Sequence, residues 1–425
     1  MNYLKLDKHE LIIEKNKLIE KYNEFKQLNL NLNMARGKPS PEQVNLSKDM
    51  LNVINSGSDC FTESGIDCLN YGSLTGLPEI KKIFAPVLGV DKDQIFVGGN
   101  SSLSLMFDTI SFFMTHGVCG SEPWLNQKSI KFLCPCPGYD RHFAILKHFN
   151  IEPVPIVMTN TGPDMDEIEK LVSIDASIKG IWCVPKYSNP QGITYSDETI
   201  KRFALLKPAA SDFRIFWDNA YAIHDFAETP QKILNIMDEC EKNGTQDLPI
   251  IFFSTSKITF PGAGIAFLAA SKKNLEEIEN IYSFKTIGFD KINQLRHIRY
   301  FNNYQGLLNH MQKHGNILKP KFDVVISKLK SEFINNNIVS YTEPVGGYFV
   351  SVDVMNGCAK RVVELCKQLG LVLTGAGSTF PFGIDKNDKN IRIAPSYPTI
   401  DELKVAMSVF CVCIKLATIE KLLND

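Results

Sequence analysis

The sequence predicts an α/β fold with a mostly parallel sheet in a large domain and a smaller α/β domain toward the C-terminus. Two observations carry this. From Leu51 onward, short apolar runs alternate with helical segments: Ile95-Phe96-Val97, Lys131-Phe132-Leu133-Cys134, Ile178 to Val184, Arg214-Ile215-Phe216-Trp217 and Ile250-Ile251-Phe252-Phe253. Runs that are apolar on successive residues belong to strands covered on both faces, and alternation with helices makes such strands parallel. After about Lys319 the pattern changes to a long helix, Pro320 to Phe333, a strand pair around Gly346-Gly347-Tyr348-Phe349-Val350, and two further helical segments.

Taken in order, Lys5 to about Leu28 reads as one helix, with Leu11, Ile12, Leu18, Ile19, Tyr22 and Phe25 near helical spacing among charges. Asn31 to Pro41, polar and holding Gly37 and two prolines, reads as a loop or extended strand. A connecting helix is expected near His297 to His314. The division is then an N-terminal arm, 1–45, joining the small domain; a large domain, 46–318; and a small C-terminal domain, 319–425. No internal repeat or low-complexity tract interrupts it.

The 425 residues are 44% hydrophobic and 22% charged, ordinary for a globular chain. With 46 Lys and Arg against 47 Asp and Glu, the formal charge of -1 gives no field to gather a nucleic acid or an anionic membrane. The start lacks the apolar core of a secretory signal, and the apolar runs are far shorter than the roughly 20 residues of a membrane helix. A cytoplasmic protein is expected. The eleven cysteines are scattered, with only Cys134-Pro135-Cys136 and Cys411-Val412-Cys413 closely paired; they read as reduced core thiols, and no metal site is expected.

In an open α/β sheet, ligands bind beyond the strand ends, so motifs there carry the chemistry. Ser254-Thr255-Ser256-Lys257 follows the strand Ile250 to Phe253 and precedes Phe260-Pro261-Gly262-Ala263-Gly264. A lysine so placed can reach a phosphate-bearing aldehyde and form an imine, although a surface lysine in a Ser/Thr loop fits the tetrapeptide alone. The strand Arg214 to Trp217 ends in Asp218-Asn219-Ala220-Tyr221. A buried aspartate can keep a pyridine-type nitrogen protonated and a phenol can donate to the ring oxygen; a helix cap with a core tyrosine is the alternative. Asn189, in Tyr187-Ser188-Asn189-Pro190-Gln191-Gly192, is first a turn residue and second a donor to that oxygen. Gly98-Gly99-Asn100-Ser101-Ser102 precedes a helix starting near Leu103 and offers N–H groups and hydroxyls to a phosphate, or simply a serine cap.

The order of these motifs, closed by Asn390-Ile391-Arg392-Ile393-Ala394, resembles the fold-type I pyridoxal-phosphate-dependent aminotransferases over nearly the whole chain. Leu32-Asn33-Met34-Ala35-Arg36-Gly37-Lys38-Pro39-Ser40, Asn70-Tyr71-Gly72, Pro137-Gly138-Tyr139-Asp140-Arg141-His142-Phe143 and Asn293-Gln294-Leu295-Arg296-His297 are most similar to a bacterial subgroup of aspartate aminotransferases, of the Ic type. The resemblance implies a mostly parallel seven-stranded sheet in the large domain and pyridoxal 5'-phosphate as cofactor. It implies that Lys257 is the imine lysine and proton shuttle, Asp218 the pyridinium partner, and Asn189 and Tyr221 donors to the phenolate oxygen. Ser101, Ser102 and Ser254 would hold the phosphate, and Tyr139 would stack on the ring. Tyr71 would reach the partner subunit's cofactor, which implies a homodimer with shared sites. Arg392 would bind the α-carboxylate, with Gly37 and Lys38 closing over the substrate.

The sequence departs from the family where an arginine normally follows the lysine by about eight residues; here the stretch is Gly262-Ala263-Gly264-Ile265-Ala266. The resemblance further implies ping-pong transfer between aspartate and 2-oxoglutarate. It leaves Arg36, Lys38, Arg141 and Arg296 as candidates for the side-chain carboxylate. A lyase or decarboxylase using the same cofactor, and the ligand-sensing domain of a transcription regulator, are the competing functions.

Overall fold

The computed structural model describes residues 3–334 and 337–424. The strands, in chain order, begin with β1 (Leu32–Asn33), β2 (Ile95–Val97), β3 (Lys131–Cys136), β4 (Glu152–Thr159) and β5 (Gly162–Pro163). They continue with β6 (Ile178–Cys183), β7 (Arg214–Asp218), β8 (Pro249–Ser254) and β9 (Ala266–Ala270). Those of the C-terminal region are β10 (Val339–Tyr341), β11 (Val350–Val354), β12 (Leu371–Val372) and β13 (Asn390–Ile393).

The large sheet runs β2-β9-β8-β7-β6-β3-β4-β5. Seven of its strands have three or more residues; the eighth, β5, is a two-residue edge strand. Pairs β4·β3, β3·β6, β6·β7 and β7·β8 are parallel, and β9 lies antiparallel between β8 and β2. Successive residues serve opposite faces. Trp217 and Phe253 join one core with Phe84 and Phe203, while Phe216 and Phe252 join the other with Phe132 and Tyr282. Each buried aromatic contributes roughly 1.5–3 kcal/mol over leaving it exposed. The first core is roofed by the helices Pro78–Leu88, Met165–Ile174 and Asp197–Ala204, and the second by Ser102–His116, Asp140–His148 and Lys272–Lys285.

A third core gathers Leu11 and Leu18 of the helix Lys8–Gln27 and Met34 with Leu318, Phe322, Val352, Leu365, Met407 and Phe410. Its sheet is β10-β11-β13, and β1 pairs in parallel with β12. The N-terminal helix begins on a capping box, Asp7 accepting the Glu10 N–H and Glu10 reaching back to the Asp7 N–H.

Three expectations change. The helix expected to begin at Pro320 is one helix, Tyr304–Phe333, with Pro320 inside it. An interior proline costs about 3 kcal/mol or more, and the buried side chains of Leu318, Phe322, Val325 and Leu329 on that helix offset it. The connecting helix near His297 to His314 is split: Lys291–Phe301 ends before Asn302, at φ 63°, and Asn303 caps the next helix by accepting the Gly306 N–H. The strand expected around Gly346 begins only at Val350. Gly346, bridged to Asp225, and Gly347 pack against Tyr187, where a Cβ on Gly346 would lie 2.2 Å from Tyr187 Cε2.

Candidate active site

Five strands that run in the same direction deliver the polar groups, since each ends at the same edge of the sheet. After β2, Ser101 caps the helix Ser102–His116, its hydroxyl accepting the Leu103 N–H at 3.2 Å. Tyr139 follows β3, Asn189 follows β6, Asp218 is the last residue of β7, and Lys257 closes the 3-10 turn Thr255–Lys257 after β8. These residues, with Ser102, Tyr221 and Ser254, line one cavity of about 460 Å³. Gly37, Lys38 and Arg392 line it from the side of the third core. Tyr71 does not; its side chain is 82% exposed, beside Ile287 and Lys291.

Asp218 is buried, and its Oδ2 accepts from His142 Nε2 at 3.0 Å. Its other oxygen, Oδ1, is buried with no hydrogen-bond partner among the described residues. His142 stacks on Trp182, ring centroids 4.3 Å apart and planes within 9°. Lys257 Nζ sits 4.8 Å from the Tyr221 ring centroid. Burial holds its ammonium below the ordinary lysine value, against the pull of Asp218, so the reactive neutral amine is easier to reach. Burial raises the Tyr221 phenol well above its usual range and pushes Tyr139 up to about 12, so both remain protonated donors.

Arg392, in β13, is held as a planar fork. Its Nη1 donates to Asn189 Oδ1 at 3.1 Å and Asp140 Oδ1 at 3.2 Å, and its guanidinium carbon lies 4.8 Å from the Phe349 ring centroid. Nε is buried without an acceptor among the described residues. With its amide oxygen taken by Arg392, Asn189 has its NH2 left to donate. Gly37 belongs here for a packing reason, because a Cβ would come within 2.4 Å of Phe349 Cζ. At the other end Ser254 Oγ donates to Ser256 Oγ at 3.0 Å, and Ser256 Oγ to the Asn100 carbonyl at 3.3 Å.

His142, Phe349 and Ser256 are cavity or supporting residues to which the sequence assigned no role. Ser256 stood inside the quoted lysine motif. His142 had a weaker signal, its place two residues into a helix that follows Tyr139.

The family model described as aspartate amino-transferase matches residues 6–425. The chain belongs to the aspartate aminotransferase family. It is 42% identical over 405 residues to the aspartate aminotransferase of Corynebacterium glutamicum, covering 95% of this chain and 93% of that one. A crystal structure of an aspartate transaminase from the same organism superposes with a TM-score of 0.96 at 40% identity, over 99% of both chains. The fold extends to the α-aminoadipate aminotransferase of Thermus thermophilus, solved with N-(5'-phosphopyridoxyl)-L-leucine, at a TM-score of 0.72 and 17% identity over 95% of each chain. The protein is an enzyme of amino-group transfer. No helix among its described residues is long and apolar enough to cross a membrane.

Proposed function

We propose that the enzyme uses pyridoxal 5'-phosphate held on Lys257 to move an amino group between aspartate and 2-oxoglutarate by a ping-pong mechanism, in the cytoplasm and as a homodimer. The observation that carries this reading is the buried Oδ1 of Asp218, unpartnered among the described residues, in the same cavity as Lys257. An orphaned buried carboxylate oxygen is costly, and a cationic ring N–H would satisfy it. The remaining donors suit the group as well: N–H groups and hydroxyls at Ser101, Ser102, Ser254 and Ser256 for a phosphate, Tyr221 and Asn189 for a ring oxygen, and Tyr139 for a ring face.

When bound, the cofactor supplies an electron sink for the carbanion left at the substrate Cα. Asp218 holds the ring nitrogen's proton by charge pairing, with His142 fixing the carboxylate from behind. Lys257 would hold the cofactor through its amine and, once free, would take the Cα proton and return it. Arg392 fixes the α-carboxylate, its buried Nε–H being one donor still to be satisfied.

Of the four candidate bases for a second carboxylate, Arg296 lies outside the cavity and donates to Asn293, and Lys38 holds its ammonium 3.8 Å from the Tyr397 ring centroid. Arg36 and Arg141 line the cavity with no ion-pair partner among the described residues. Arg36→Ala or Arg141→Ala should therefore weaken kcat/KM for aspartate and glutamate by roughly 10-fold or more while sparing alanine and phenylalanine. Equal loss on all four substrates would refute the assignment.

Arg392→Lys should behave oppositely, lowering kcat/KM for every amino acid and keto acid about 10- to 150-fold, because lysine keeps the charge but loses the second parallel hydrogen bond. Steady-state kinetics on four substrates decides it; a penalty confined to dicarboxylates would make Arg392 the side-chain residue instead.

The homodimer is supported by exposed apolar side chains, Tyr71 and Ile287 lining one cleft, with Leu69 and Phe284 also open. Tyr71 would reach the partner's cofactor phosphate from there. The arm 1–45 with residues 319–425 would form the unit that closes on the large domain, 46–318; the shared core of Leu11, Leu18 and Met34 with the C-terminal helices supports that grouping.

A further inference from the structure

Beneath the turn that ends in Lys257 lies a buried polar chain of unusual completeness. Gln43, fully buried, accepts the Ser40 N–H on its amide oxygen at 3.1 Å, which settles the orientation of the amide. Its NH2 then serves two acceptors, Tyr348 Oη at 2.9 Å and His314 Nδ1 at 3.1 Å. The rest follows by elimination of donors. With Nδ1 accepting, a neutral His314 carries its proton on Nε2 and gives it to the Ile258 carbonyl at 2.9 Å. Burial, reinforced by His310, pushes the His314 imidazolium down to about 3, so the ring is neutral at ordinary pH. The Tyr348 hydroxyl, having accepted from Gln43, donates to the Lys257 carbonyl at 3.4 Å. His310 Nε2 lies 2.8 Å from the Ile258 carbonyl and 3.1 Å from His314 Nε2.

Buried polar groups are costly unless every partner is satisfied, and a satisfied network rigidifies what it touches. Here it touches the carbonyls of Lys257 and its neighbour. At its other end it touches Ser40, two residues beyond the cavity-lining segment Ala35–Lys38; Ser40 and Gln43 form a capping box there.

We propose that Gln43 is a positioning residue for Lys257, acting through Tyr348 and His314 to fix the turn that carries the amine and tying that turn to the Arg36–Lys38 wall of the cavity. This rests on the reading of Lys257 as the amine that holds the cofactor. Two holoenzyme variants test it, Gln43→Leu and the milder Tyr348→Phe, which removes one oxygen. The readouts are kcat, KM, melting temperature and the visible circular dichroism of the bound cofactor, which reports its orientation. Both variants should lower kcat about 5- to 10-fold with KM within about twofold, and should reduce the dichroism. A lower melting temperature with wild-type kcat and dichroism would overturn the proposal, leaving a structural role only. If Gln43→Leu does not fold, Tyr348→Phe decides alone on the same readouts. Lys257→Ala is run alongside: if it kept the wild-type visible band, the reading of Lys257 would fail and the proposal with it.

Discussion

Lys257→Ala is expected to leave a folded protein with almost no turnover. The side chain is half-buried at the end of the Thr255–Lys257 turn, but that turn is held by its backbone: the Thr255 N–H bonds to the Ile265 carbonyl and the Thr259 N–H to the Thr255 carbonyl. Truncation therefore removes little that holds the fold. It also removes a cation whose charge burial disfavours, which further limits the cost to stability. Catalysis loses both the nucleophile that secures the cofactor and the base that moves the Cα proton. General acid–base catalysis alone contributes about 10²–10⁴-fold, and the lost covalent role adds to it. Single-turnover kinetics with aspartate, beside a thermal melt, gives the test; turnover within tenfold of wild type would refute the assignment.

Asp218→Ala is expected to fall hardest on rate as well. Its carboxylate has one oxygen on His142 and one unpaired, an arrangement poised for a cation that arrives with the cofactor. Removing one member of a buried charge pair costs about 3–5 kcal/mol. Where that cost lands on the carbanion-like transition state, turnover drops roughly 10²–10⁴-fold. In the protein without cofactor the same substitution removes an unsatisfied oxygen, so the melting temperature should change far less than the rate. Equal kinetics in wild type and variant would sink the electron-sink role. A large loss of stability with unchanged kcat in the surviving protein would make Asp218 structural.

What could be read from the sequence divides along physical lines. The strands containing Phe96, Phe132, Ile181, Phe216 and Phe252 were legible because both faces of the sheet are covered, so each carries a run of successive apolar residues with any charge near its ends. Glu152–Thr159 was not, since Pro153 and Pro155 read as breaks; its place next to the two-residue edge strand tolerates them. Ala266–Ala270 was hidden by its small residues and the preceding glycine turn. Among the site residues, Asp218, Asn189 and Lys257 announced themselves by position at strand ends. His142 did not, because the contact that gives it a role is to Asp218, 76 residues away. The Gln43 network was invisible for the same reason: its members come from four separate stretches, of which only that of Lys257 stands in a strand-end motif.

Whether Lys257 holds the cofactor is decided by reducing the purified holoenzyme with borohydride and mapping its peptides. A single pyridoxyl label is expected on the peptide containing Ser254-Thr255-Ser256-Lys257, at Lys257; a label on another lysine, or none, would refute the assignment.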